Sequence, residues 1–280
     1  MLSTVVTGKQ IRFAGLLATL ILSAGCSQDE VAPPRSAEAI FEHGRQLYEA
    51  GEYQEAYEEF RLLTLQYPGS ALADDAQFLM GEAKFKRGEY ILAAYEYDIV
   101  VKSMPTSEFV PEARYKKALC HYELSRPYYL EQEETKKAID QFQAFIEYHP
   151  TDPRVPEAEA KIAELNTKLA RKEYESGIIY MKMEYYRAAG VSFDYVLEKY
   201  HDSPYAEPAY FKKGEALYYR KRYREARAVL RGFLERYPQS NLRPQAESLL
   251  KDIDRHLNDV GLTPAPALSG GDRLLGGRQQ

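Results

Sequence analysis

Residues 44–70, GRQLYEAGEYQEAYEEFRLLTLQYPGS, and residues 81–107, GEAKFKRGEYILAAYEYDIVVKSMPTS, carry one pattern twice. Gly44, Gly51-Glu52-Tyr53, Ala56, Phe60, Pro68 and Ser70 return 37 residues on as Gly81, Gly88-Glu89-Tyr90, Ala93, Tyr97, Pro105 and Ser107. Near the C-terminus the pattern comes back as Gly214, Leu217, Tyr223, Ala226, Leu230, Tyr237-Pro238 and Ser240. Two looser copies lie between. One runs from Ala118 through Ala138, Phe142 and Phe145 to His149-Pro150. The other runs through Gly177, Tyr180, Tyr186, Ala189 and Phe193 to Tyr200-His201-Asp202-Ser203 and lacks the proline. Apolar residues at helical spacing on both sides of a short break describe a helical hairpin. Gly44 or Ala118 lets the first helix approach the second closely, and Ala56, Ala93, Ala138, Ala189 and Ala226 do the same on the second. Proline ends the second helix, and the Ser or Asp after it is placed to cap the next. A lone hairpin leaves its apolar stripe in water, whereas stacked hairpins share one core, so five copies imply an array.

These positions resemble the tetratricopeptide repeat. The resemblance implies an all-α fold: a right-handed superhelix of five tetratricopeptide-like hairpins plus a C-terminal capping helix. Three departures from strict repetition matter. About eight extra residues separate the helices of the third copy, and Ser125–Lys137 reads as a surface loop holding Arg126-Pro127 and the acids Glu131, Glu133 and Glu134. Residues Pro156 to Met183 read as one long helix with Ile162, Leu165 and Leu169 on its apolar side. Residues Arg243 to Leu257 form a last amphipathic helix, with Ala246, Leu249, Leu250, Ile253 and Leu257 facing the array.

The N-terminus carries a different message. Lys9 and Arg12 precede the apolar run Phe13–Leu22, which is too short to span a bilayer comfortably. The run ends in Leu22-Ser23-Ala24-Gly25-Cys26, which resembles the bacterial lipobox. That resemblance implies cleavage before Cys26 and acylation of its thiol and new amino group, giving a durable membrane anchor. Ser27, where an aspartate would favour the inner membrane, points by analogy to the outer membrane. The expected organisation is a signal peptide (1–25), a lipidated tether (26–36), repeats one to three (37–150), the long helix with repeats four and five and the cap (151–258), and a disordered tail (259–280). Removing Lys9 and Arg12 with the signal takes the net charge from −5 to −7, which argues against nucleic acid as a partner. With Cys26 assigned to lipid, Cys120 has no disulfide partner and reads as a small buried apolar residue.

Lipobox and repeats together resemble the BamD family of outer-membrane assembly lipoproteins. So do the lengthened third repeat, with Glu131-Gln132 and Thr135-Lys136-Lys137-Ala138, and the segment Leu169-Ala170, Lys172-Glu173, Gly177, Tyr180, Tyr186 and Ala188-Ala189. The resemblance covers about residues 20–257. It implies an outer-membrane, lipid-anchored scaffold facing the periplasm, with no cofactor beyond the lipid on Cys26. Its implied partners are the periplasmic domains of BamA, unfolded outer-membrane proteins and other lipoproteins of the same complex. Many members carry an arginine just before the phenylalanine of the fourth repeat. This chain has Ser192 there, with Arg187 a neighbouring cation, and both mark the expected BamA-facing region. The competing reading is another periplasmic repeat adaptor lipoprotein, serving envelope division or peptidoglycan enzymes.

Aligned on its small residue, each unit places aromatics at two further positions of the first helix. Phe41, Phe78 and Tyr115 stand three before it, and Tyr48, Phe85 and Tyr122 four after. If these line the inner wall of the array they form a groove for a peptide, with Arg45 and Lys86 available to a carboxylate. Alternatively the same rings fill the space between first helices. Catalysis finds no support. His43, His121, His149, His201 and His256 are scattered, no zinc-protease or serine-hydrolase motif occurs, and no residues stand at metal-ligand spacing.

Overall fold

The computed structural model describes residues 35–259, so the lipobox, most of the tether and residues 260–280 lie outside the described residues. Among the described residues there are eleven α-helices and no strand. Ten pair as five antiparallel hairpins: α1 (Ala37–Glu49) with α2 (Tyr53–Gln66), α3 (Ala73–Lys86) with α4 (Tyr90–Ser103), α5 (Val110–Glu123) with α6 (Glu133–Tyr148), α7 (Val155–Lys182) with α8 (Tyr186–Lys199), and α9 (Ala206–Tyr219) with α10 (Tyr223–Arg236). The last helix, α11 (Arg243–Asp259), packs on α10 and buries Ala246, Ile253 and Leu257.

Each hairpin closes on one contact. A Cβ built on Gly44 would stand 2.8 Å from the Phe60 ring, on Gly81 2.6 Å from Tyr97, on Gly177 2.5 Å from Phe193 and on Gly214 2.6 Å from Leu230. No real Cβ fits there, so glycine brings the two helix axes together and the large residue fills the notch. Phe60, Tyr97, Phe193 and Leu230 are all fully buried. The third hairpin keeps Ala118 against Phe142, and both are fully buried. Among the described residues, the buried apolar residues form five clusters, each reaching from one hairpin into the helix that follows it, as where one joins α5, α6 and the first half of α7.

Polar residues tie neighbouring hairpins in a fixed register. Lys117 pairs with Asp98 at 2.7 Å, and Lys213 with Asp194 at 2.5 Å, at matching positions of two repeats. Glu82, only 8% exposed, accepts from the Tyr97 hydroxyl at 2.5 Å and from Lys116 of the next hairpin. A buried carboxylate needs such partners. Burial also pushes the Cys120 thiol up to about 12, so it is an inert packing group.

Several expectations need correction. The loop of the third repeat ends at Gln132, and Glu133–Lys137 is the first turn of α6. The serine after each proline does not cap the next helix. Ser70, Ser107 and Ser240 accept from the amide two residues on, that of Leu72, Phe109 and Leu242, at 3.0–3.2 Å. They close the turn that leads into the helix.

Candidate docking surface on the fourth repeat

Soluble monomers rarely expose contiguous large apolar side chains. Here they gather where α7 turns into α8. Ile179, Met183, Tyr185, Val191 and Tyr219 are each at least half exposed. The turn itself is unusual. The first two repeats place Gly51 and Gly88 at positive φ after the first helix, whereas the fourth and fifth use Glu184 (φ 60°) and Lys221 (φ 58°). A side chain there costs roughly 1–2 kcal/mol. Glu184 also adds bulk to the edge of a hollow of about 690 Å³ lined by Tyr180, Tyr185, Tyr186, Arg187, Val191 and Arg220, among others. One side is fixed by Tyr186 stacked on Tyr219, with ring centres 4.9 Å apart and planes at 16°.

A second hollow of about 570 Å³ shares Arg187, Val191 and Arg220 and continues toward Lys213, Arg222 and Val229. Lys213 is already paired with Asp194, and Arg222 with Glu225. Arg187 and Arg220 have no carboxylate within ion-pair distance among the described residues. The surface is therefore an apolar floor with two uncommitted guanidinium groups, the composition of a protein-binding hot spot. No group of three or more His, Cys, Asp or Glu residues able to hold a metal ion occurs among the described residues.

The expected site residues divide. Arg187 is exposed on this surface, but Ser192 is only 8% exposed and touches the hollow from beneath. The cations of this face therefore project from other positions. Sequence reasoning missed Tyr185, Val191 and Arg220. The signal was present: Tyr185 stands where the other repeats have Glu52, Glu89 and Arg222, and Val191 where the first has Glu58.

The expected aromatic groove is corrected more deeply. Phe78 and Tyr115 are 7% and 6% exposed. Phe78 stacks on Phe109 at 4.8 Å, and Tyr115 meets Phe142 and Phe145. They are core residues because the chain entering the next helix covers them. Phe41, Tyr48, Phe85 and Tyr122 are half-buried. Phe41 leans on Phe60, Tyr48 on Tyr53 and Phe85 on Tyr90 within their own hairpins. The Tyr122 hydroxyl donates to Glu164 at 2.7 Å. Arg45 lies near Glu42 and Glu49 of its own helix, whereas Lys86 is exposed.

Comparison with known proteins places this architecture. The YfiO family, described as outer membrane lipoprotein, matches residues 33–213, well over half of the chain. The chain belongs to the YfiO family. A tetratricopeptide repeat family also matches residues 208–240, which cover most of α9 and all of α10. Among YfiO relatives, the outer membrane protein assembly factor BamD of Rickettsia prowazekii is 25% identical over 85% of this chain and 96% of its own length. That of Caulobacter vibrioides is 27% identical over 69% of this chain and 65% of its own. As a YfiO member the chain is associated with the outer membrane.

Proposed function

We propose that this chain is an outer-membrane protein assembly factor that works by holding polypeptides rather than by catalysis. The observation that carries this reading is the aromatic and cationic face of α8 on a chain of the YfiO family, whose matched relatives are named as assembly factors. That face docks on the periplasmic domains of BamA. Arg187 and Arg220 answer acidic residues of the partner, and Tyr185 and Val191 supply the apolar contact. The half-buried rings Phe41, Tyr48, Phe85 and Tyr122, with Arg45 and Lys86, are the part of the expected groove still open to unfolded outer-membrane proteins. Other lipoproteins of the complex bind elsewhere on the array. Acyl groups on Cys26 hold the chain on the periplasmic side of the outer membrane.

The test is co-purification with BamA from detergent extracts. Val191→Asp and Arg187→Glu abolish it while leaving the helical circular dichroism unchanged, since both side chains are exposed. Undiminished recovery of BamA with both variants refutes the α8 assignment. Normal porin assembly in cells depleted of the chain refutes the assembly role.

A further inference from the structure

The connection between α5 and α6 is the one lengthened hairpin loop, and it is braced. Gln132, 3% exposed, donates from Nε2 to the carbonyls of Pro127 (2.8 Å) and Leu130 (3.0 Å) and accepts from the Thr135 hydroxyl (2.8 Å). One stretch of α7 grips the outside. Lys168 Nζ donates to Ser125 Oγ at 2.9 Å and Lys172 Nζ to the Leu130 carbonyl at 2.6 Å. The Arg171 guanidinium lies 4.0 Å from the centre of the Tyr128 ring. Loop and helix enclose a cleft of about 480 Å³, walled by Tyr128, Tyr129, Lys168, Arg171 and Tyr205. Glu164 stands in the same cleft and is engaged by the Tyr122 hydroxyl.

We propose that this cleft holds an extended acidic segment of a partner polypeptide, with an aromatic side chain between Tyr129 and Tyr205 and a carboxylate on Arg171. Charge complementarity identifies the ligand. The chain as a whole is acidic, yet Lys168, Arg171 and Lys172 fall within five residues. Arg171 has no carboxylate partner among the described residues, and a guanidinium stacked on a ring keeps its N–H edges free for one. Tyr129 is 67% exposed, an aromatic edge held out by a rigid loop. Lys168 and Arg171 lie about one helical turn apart along α7, each already fixed by the loop. They form a row, which fits carboxylates spaced along a segment rather than a single chain-terminal carboxylate. Glu164 repels an acid at its end and so sets the direction of the bound segment. The site rests on the polypeptide-holding reading but is separate from the α8 face.

The experiment is fluorescence anisotropy of the detergent-solubilised full chain with a labelled peptide containing Asp-Phe-Asp and blocked at both ends. Replacing the acids by Asn, the ring by Ala, or the protein's Arg171 or Tyr129 by Ala each weakens binding about tenfold. Val191→Asp leaves it unchanged, so undiminished BamA recovery with intact peptide binding sinks the docking assignment and spares this one. Equal binding of the Asp and Asn peptides, or full binding by both Arg171→Ala and Tyr129→Ala, overturns the proposal. Preference for a peptide ending in Phe with a free carboxylate overturns the choice of an internal segment. Tyr129→Ala, at an exposed site, keeps the test valid if Arg171→Ala unfolds.

Discussion

Replacing Gly81 by Ala tests what closes the hairpins. The new methyl would sit 2.6 and 2.7 Å from two ring carbons of Tyr97 and 3.1 Å from a third. An ordinary contact needs roughly 3.5 Å, so the ring must retreat by about 1 Å. Tyr97 has nowhere to go: it is fully buried, and its hydroxyl is bonded at 2.5 Å to Glu82, which also holds Lys116 at 2.8 Å. Overpacking costs about 1–3 kcal/mol. Losing a buried hydrogen bond to a charged group adds about 1.5–3 kcal/mol. The helix propensity of alanine returns about 1 kcal/mol. The net expectation is a loss of about 1.5–5 kcal/mol. Gly190→Ala is the internal control: it lies in α8 with no atom within 4 Å of the added Cβ, and it gains up to about 1 kcal/mol. Urea denaturation followed by far-ultraviolet circular dichroism reads both. Equal shifts for the two variants, or a stabilised Gly81→Ala, would refute the idea that glycine is there to admit the opposing ring.

Glu184→Gly removes a side chain from a residue at φ 60° and raises the unfolding midpoint by the equivalent of about 0.5–1 kcal/mol; a lower midpoint contradicts the strain. Asp152 accepts from the amide and guanidinium of Arg154, which holds its carboxyl down at about 2 against an ordinary 3.8. Because the folded value is the lower one, its stabilisation is complete above about pH 3.8 and disappears as the pH falls through 2. Asp152→Asn, followed by thermal melts across pH, costs about 1 kcal/mol at neutral pH after allowing for solvent screening, and nothing near pH 2. Phe78→Ala costs about 3–5 kcal/mol in the same denaturation assay, because the ring belongs to the core, whereas Lys86→Ala on the exposed end of α3 leaves the midpoint in place.

Much of the architecture was legible from spacing alone. A notch residue and its filler recur sixteen residues apart in Gly44 and Phe60, Gly81 and Tyr97, Gly177 and Phe193, and Gly214 and Leu230, and each pair meets in space. The eight-residue insertion in the third repeat was visible as the longer gap between Ala118 and Phe142, although its acidic end folds into α6. The groove was misread because periodicity tells which positions are apolar, not what covers them. Phe109, lying just before α5, stacks on Phe78, and no local pattern announces that contact.

The sequence by itself determined the repeated helical hairpins, their number and the small-to-large contact that closes each, because these depend on residues close along the chain. Tertiary structure alone decided which aromatic rings stay in water. Exposure depends on how each hairpin meets the next, so it buried Ser192, Phe78 and Tyr115 and left Tyr185, Val191 and Arg187 free for a partner.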